Sequence, residues 1–260
     1  MENFVLVTGA CINTGVAIVD KFATEGCNVA FTGRTACVVY AMEQEYRKKH
    51  PHVQILGVVL DSMDTNGSVD EAGVDAMFDA LDKQNIHINT LVLNAADQGL
   101  GQEIFTNSIQ DFQRVLNTNV TWNYCLSRAA ASRMKKNGGG SIIFINSNTA
   151  YRCIPDRVAY STSKGAQLSM MRALALDLGK YGIRVNAVLP GMIKTDRWER
   201  NPDFYKNVPS RYTPLGDVAV GSDIADAVWY FAAHARNTTG AELVVDGGNT
   251  IQLYPIIPSE

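Results

Sequence analysis

The sequence predicts an α/β fold, a doubly wound parallel sheet of about seven strands in a single domain over residues 1–260. Three observations predict it. Short apolar runs rich in β-branched residues alternate with helical patterns along the chain. Each run is nearly continuous, as strands buried on both faces require. A length of 260 residues also suits one α/β domain better than two.

The strand candidates, in order, are 3–8, 28–32, 53–59, 89–93, 141–146, 183–189 and 242–246. Helical stripes lie between them. Val16, Val19 and Phe22 share one face; so do Leu168, Met171 and Leu178, and so do Ile224, Val228 and Phe231. Residues 192–221 break the rhythm, with Pro202, Pro209 and Pro214 among Trp198, Phe204, Tyr205 and Tyr212. A long insertion at the carboxyl end of a strand suits a lid or substrate wall. The tail 249–260 is apolar (Ile251, Leu253, Tyr254, Ile256, Ile257) and is expected to pack on the body or on a neighbouring subunit.

Composition narrows the function. Apolar residues make up 46% and charged residues 19%, which fits a folded chain. The 26 acids outweigh 23 bases, so no positive surplus is available for a nucleic-acid backbone. No apolar run reaches the ~18 residues of a membrane span. Met1-Glu2-Asn3 leads straight into Phe4-Val5-Leu6-Val7 without a basic start, so the cytoplasm is the expected location. Five cysteines with no C-x-x-C pair argue against a disulfide framework or a zinc site; reduced, buried thiols are expected. The four histidines show no metal-ligand spacing.

Thr8-Gly9-Ala10-Cys11-Ile12-Asn13-Thr14-Gly15 follows the first strand and opens the first helix. Glycines there permit a tight turn, and free N–H groups at a helix start hold a pyrophosphate. Gly9, Cys11, Asn13, Thr14 and Gly15 are therefore candidate cofactor residues. Gly33-Arg34 ends the second strand, where a carboxylate would bind the ribose diol of NAD. A glycine followed by an arginine suits a 2′-phosphate, so NADP(H) is expected, with NAD(H) admissible. Asp61, beyond the third strand, is a candidate acceptor for the adenine amino group or a turn and cap residue. Asn94-Ala95-Ala96 follows the fourth strand with small residues suited to a flat cofactor.

Tyr160 and Lys164 are four apart on an expected helix and share a face. A phenol is a poor base near neutrality, and an adjacent ammonium lowers its pKa. Ser147, just past the fifth strand, can hydrogen-bond a substrate oxygen that shares a proton with Tyr160. Together they suit interconversion of an alcohol and a ketone. Asn119 falls on the apolar face of Phe112 and Leu116. It reads either as a satisfied core amide or as an amide holding a water beside Lys164 for proton relay.

These residues together resemble the short-chain dehydrogenase/reductase family from Phe4 to Gly248. The resemblance implies a Rossmann-like fold with Asn119, Ser147, Tyr160 and Lys164 as the catalytic tetrad. Tyr160 and Lys164 would also touch the cofactor. Pro190-Gly191, with Ile193 and Thr195, would line the nicotinamide, and Asp246-Gly247-Gly248 matches the closing motif. Asn13 departs from the family's glycine, but Asn tolerates positive φ. The resemblance also implies a homodimer or homotetramer built on long helices over about 107–136 and 158–180. The substrate is a small molecule: a hydroxysteroid-like or alicyclic alcohol, a sugar or polyol, or a 3-oxoacyl thioester. A catalytically idle dinucleotide sensor or structural subunit is the alternative. Enoyl reductases of this fold space their tyrosine and lysine further apart.

Overall fold

The computed structural model describes residues 2–101 and 103–256. Seven parallel strands form one sheet: β1 (Glu2–Val7), β2 (Asn28–Gly33), β3 (Ile55–Val59), β4 (Ile86–Leu93), β5 (Gly140–Ile145), β6 (Ile183–Pro190) and β7 (Glu242–Val245). Their order is β3-β2-β1-β4-β5-β6-β7. Winding reverses between β1 and β4, which stay paired to Val7 and Val92, and in such sheets a crevice lies outside the carboxyl ends at this point, where the connections leave for opposite faces. All seven strand candidates lie within three residues of the observed bounds.

Alternation along β1 divides the core. Phe4 and Leu6 join one apolar cluster, while Val5 and Val7 join the other. The first cluster packs α3 (Glu71–Lys83), α5 (Trp122–Lys136) and α6 (Val158–Gly179) on one face, through Phe78, Leu126 and Met171. The second packs α1 (Asn13–Thr24), α2 (Ala36–Lys49) and α10 (Gly221–Trp229) on the other, through Phe22, Tyr46 and Val228.

The helix expected over 107–136 is two α segments, α4 (Ile109–Leu116) and α5, joined by a π turn, Asn117–Thr121. Such turns insert one residue into a helix and occur often at functional sites.

The stretch 192–221 is folded into three short helices, α7 (Asp196–Arg200), α8 (Pro202–Tyr205) and α9 (Val208–Tyr212). Trp198 and Tyr205 stack across the first two, with ring centroids 4.3 Å apart. The side chains of Arg197, Glu199 and Phe204 lie outside the described set.

Two expectations need correction. The thiols are not all buried: Cys125 is, whereas Cys37 and Cys153 are exposed and Cys11 and Cys27 lie between. The tail does not pack its apolar groups on the body. Ile251 and Tyr254 remain 87% and 76% exposed, and polar bonds hold the segment instead. Gln252 Nε2 donates to the Arg211 carbonyl, and Arg152 donates to the carbonyls of Asn249 and Thr250. Ile257 lies outside the described residues.

Candidate active site

The crevice between β1 and β4 is closed at its base by Thr8 and Asn94. Thr8 Oγ1 accepts from the backbone amides of Asn94 and Ala95 at 3.0 and 3.1 Å. Asn94 Nδ2 donates back to the carbonyls of Thr8 and Gly9 at 3.0 and 3.1 Å. The Asn94 side chain thus fastens two strand ends together.

Above this clamp runs the glycine turn. Gly9 has φ +62°, and an added Cβ there would meet Ala95 Cβ at 2.8 Å. At Gly15 a Cβ would meet Ala10 Cα at 2.6 Å. Asn13 takes φ +50°, the left-handed region that Asn tolerates better than other non-glycine residues. α1 begins there with Ile12 as its N-cap, with no side-chain capping bond and no acid in the first turn. Its first N–H groups are left for an anion from outside the chain. The residues fit a nucleotide pyrophosphate on this ground.

Arg34 follows the last residue of β2, is exposed, and forms no ion pair among the described residues. Gly33 before it has no room for a side chain. A Cβ would lie 2.5 Å from Cys11 Sγ and 2.7 Å from Val39 Cγ2. Asp61 is exposed and folds onto its neighbour, its Oδ1 accepting from the Ser62 amide at 2.7 Å. It caps no helix; Asp70 caps α3, accepting from the Gly73 amide at 2.8 Å.

On the other side of the crevice stand Ser147, Tyr160 and Lys164. Ser147 follows β5, its Oγ accepting from the Thr149 amide at 3.2 Å. Tyr160 and Lys164 occupy one face of α6, with Lys164 Nζ 5.5 Å from the Tyr160 ring centre. Burial pushes the Tyr160 phenol up; a hydrogen bond with Ser147 and the charge of Arg157 pull it down. Burial alone depresses the Lys164 ammonium to about 7. Its Nζ donates to the Ile145 carbonyl at 2.9 Å and to Gln167 Oε1 at 3.1 Å. Both bonds favour the charged form against that burial.

Asn119 lies in the π turn and is fully buried. Its Oδ1 accepts from the Asp97 amide at 2.7 Å, and its Nδ2 donates to the Asp97 carbonyl and to Ser163 Oγ, both at 2.9 Å. Its carbonyl accepts from Asn123 Nδ2 at 2.9 Å and from Gln167 Nε2 at 2.6 Å. The Asn119 side chain is thus engaged by protein groups at both its oxygen and its nitrogen.

Past β6, Gly191 lies against Asp246: an added Cβ would meet Asp246 Cβ at 2.5 Å. Ile193 bridges to Ala219, and Thr195 caps α7 without a side-chain bond. Asp246 accepts from the amides of Gly248 and Thr250, fixing the closing motif. Gln167 and Ser163 escaped the sequence reading. The available signal was a glutamine three residues past Lys164 on the same helical face, bordering the Leu168–Met171 stripe.

The chain is similar to known oxidoreductases. A family model described as Enoyl-(Acyl carrier protein) reductase matches residues 9–250. The 2-(R)-hydroxypropyl-CoM dehydrogenase of Xanthobacter autotrophicus is 33% identical, over 96% of this chain and 99% of its own. The NADP-dependent (R)-specific alcohol dehydrogenase of Lentilactobacillus kefiri is also 33% identical, over 95% and 96%. The solved structure of an oxidoreductase (short chain dehydrogenase/reductase family) from Burkholderia thailandensis superposes with a TM-score of 0.83, at 27% identity and over 97% and 94% of the two chains.

Proposed function

The chain belongs to the short-chain dehydrogenase/reductase family, oxidoreductases that act on CH–OH groups with NAD(P), and on that premise we propose that it interconverts a secondary alcohol and a ketone with NADP(H), using Tyr160 as the acid/base. The observation that carries this reading is the meeting of Ser147, Tyr160 and Lys164 across the crevice from the anion-receptive start of α1.

When bound, the nucleotide supplies the hydride chemistry. The chain's own groups handle the proton. Ser147 holds the substrate oxygen against the Tyr160 hydroxyl, which donates its proton in reduction and accepts one in oxidation. The Lys164 ammonium stabilises the phenolate. The Thr8–Asn94 clamp keeps the two strand ends, and hence the turn residues Gly9, Cys11, Asn13, Thr14 and Gly15, in register with this group.

NADP(H) is favoured over NAD(H) by exposed Arg34 and by the filled space beside Gly33, which leaves no place for a ribose-binding carboxylate. The L. kefiri relative is itself named NADP-dependent. Asp61, Ala95, Pro190, Gly191, Ile193 and Thr195 complete the proposed cofactor site. The substrate is a hydroxysteroid-like or alicyclic alcohol, a sugar or polyol, or a 3-oxoacyl thioester, walled in part by the 192–221 insertion. The working form is a homodimer or homotetramer in the cytoplasm, with Leu176, 84% exposed on α6, and the apolar tail as contact surface. No helix of the described residues is long and apolar enough to cross a membrane.

The test is a screen of NADPH and NADH absorbance against a representative carbonyl of each substrate class. Turnover with NADPH is expected. Tight NADPH binding with no turnover on any of them would favour the idle sensor.

A further inference from the structure

We propose that Gln167 is a positioning residue that fixes the Lys164 amine in place, by spanning from its Nζ to the backbone carbonyl of Asn119. The inference rests on the proposed role of Tyr160 and Lys164. The geometry is explicit. Gln167 Oε1 accepts from Lys164 Nζ at 3.1 Å and from Asn146 Nδ2 at 3.3 Å. Its Nε2 donates to the Asn119 carbonyl at 2.6 Å. The amide cannot be turned over, because Nε2 would then face an ammonium and Oε1 a carbonyl. Gln167, Lys164 and Asn119 are all at most 1% exposed, so no bulk water competes for these bonds.

Two consequences follow from the chemistry of an amide. Water beside an ammonium can accept one proton and release another. A carboxamide keeps its Nε2 hydrogens and would have to become an imidic acid to do the same. The direction from Lys164 towards Asn119 is therefore closed to proton transfer. The carbonyl that the π turn turns inward serves as an anchor for Gln167. Meanwhile Oε1 and the Ile145 carbonyl engage two of the three ammonium hydrogens, hold the amine beside Tyr160 and favour its charged form.

Few other charges act here. Among the elements packed on α6, the π turn and the 3-10 turn Asn148–Ala150 carry no titratable group. α4 offers Asp111 and Arg114, the latter paired with Asp97. β6 offers Arg184, which is held by the carbonyls of Phe231, Ala232 and Ala235. Arg157, at the start of α6, acts on Tyr160 directly.

The experiment follows protonation of Lys164 through the pH dependence of urea unfolding, as the difference between each protein and the same protein carrying Lys164→Met. Gln167→Met keeps the length and removes the acceptor. It should move the pH at which that difference begins to rise down by about one unit, as expected when a hydrogen bond to the charged form is lost. Gln167→Glu keeps an acceptor and adds a negative charge beside the amine, and should move that onset up. A purely structural role would lower stability at every pH and leave the onset where it is. An unchanged onset in folded Gln167→Met overturns the proposal; should that variant not fold, an unchanged onset in Gln167→Glu does so. Turnover is not needed for this readout. A wild type inactive on every carbonyl would count against the proposed function, while the titration still decides the role of Gln167.

Discussion

The sulfur of Cys11 occupies the space that a side chain at position 33 would need. A Cβ built on Gly33 lies 2.5 Å from Cys11 Sγ, and Val39 closes the other side at 2.7 Å. A side chain at position 33 would therefore require Cys11 and Val39 to shift, and in the proposed function Arg34 is the side chain offered to the ribose end of the nucleotide.

Arg34→Leu should weaken NADPH binding and spare NADH. A charge-assisted bond is worth about 1.5–3 kcal/mol, or roughly ten- to 150-fold in affinity. Fluorescence titration with both nucleotides checks it; equal losses for the two would contradict the 2′-phosphate contact. Gly33→Asp alone should impair binding of both nucleotides in the same titration, because its Cβ would displace Cys11 in the glycine turn.

Tyr160→Phe should lose about 10²–10⁴-fold in kcat, the usual span for a general acid/base, and bind NADPH nearly as the wild type does. Steady-state rates on any substrate found in the screen decide it. A variant retaining more than about a tenth of the rate would refute the role.

Lys164 couples function to stability in a pH-dependent way. Its ammonium is depressed from 10.5 to about 7 by burial. Between those values the unfolded chain holds a proton that the folded chain lacks, so stability rises with pH across that window. Wild type should therefore gain on Lys164→Met from about pH 7 towards 10, by up to about 1.4 kcal/mol per pH unit. Below pH 7 the gap should level off. Urea unfolding of both proteins along the pH scale measures it; a flat difference would show that Lys164 is not depressed. Lys164→Met should also slow turnover, since the phenolate loses its counter-charge.

Asn13 takes φ +50° at the start of α1. Asn13→Gly should be close to neutral, whereas Asn13→Val should cost about 1–2 kcal/mol, the penalty of a branched residue in the left-handed region. Thermal unfolding compares the two, and equal Tm values would contradict the strain argument.

The sheet was legible because buried parallel strands write themselves as apolar runs, and Val5–Val7 or Ile142–Ile145 need no partner to be seen. The glycine turn, Tyr160 and Lys164 were legible because their spacing is local. What escaped depends on groups distant in sequence. The bonds of Gln167 reach back 48 residues to Asn119, and nothing near Asn119 announces a π turn. The short helices at 196–212 were hidden by prolines that read as breakers but sit at helix starts, as Pro202 and Pro209 do. Of the two places expected for the tail, the body does not cover its apolar groups, and Arg152 and Gln252 secure it through its backbone instead.

The π turn at Asn117–Thr121 makes chain length itself a constraint in the middle of a helix. Its extra residue sets α4 and α5 out of phase, so that α4 meets α6 while α5 turns Trp122 and Leu126 to the sheet and α3. Removing any one residue from this turn would restore an ordinary helix and rotate one half against the other by about 100°. Either the Asn119–Gln167 anchor or the Trp122 packing would then be lost. A single-codon deletion here should thus be more damaging than most substitutions at the same positions, and far more so than a deletion in the exposed loop before Ile109.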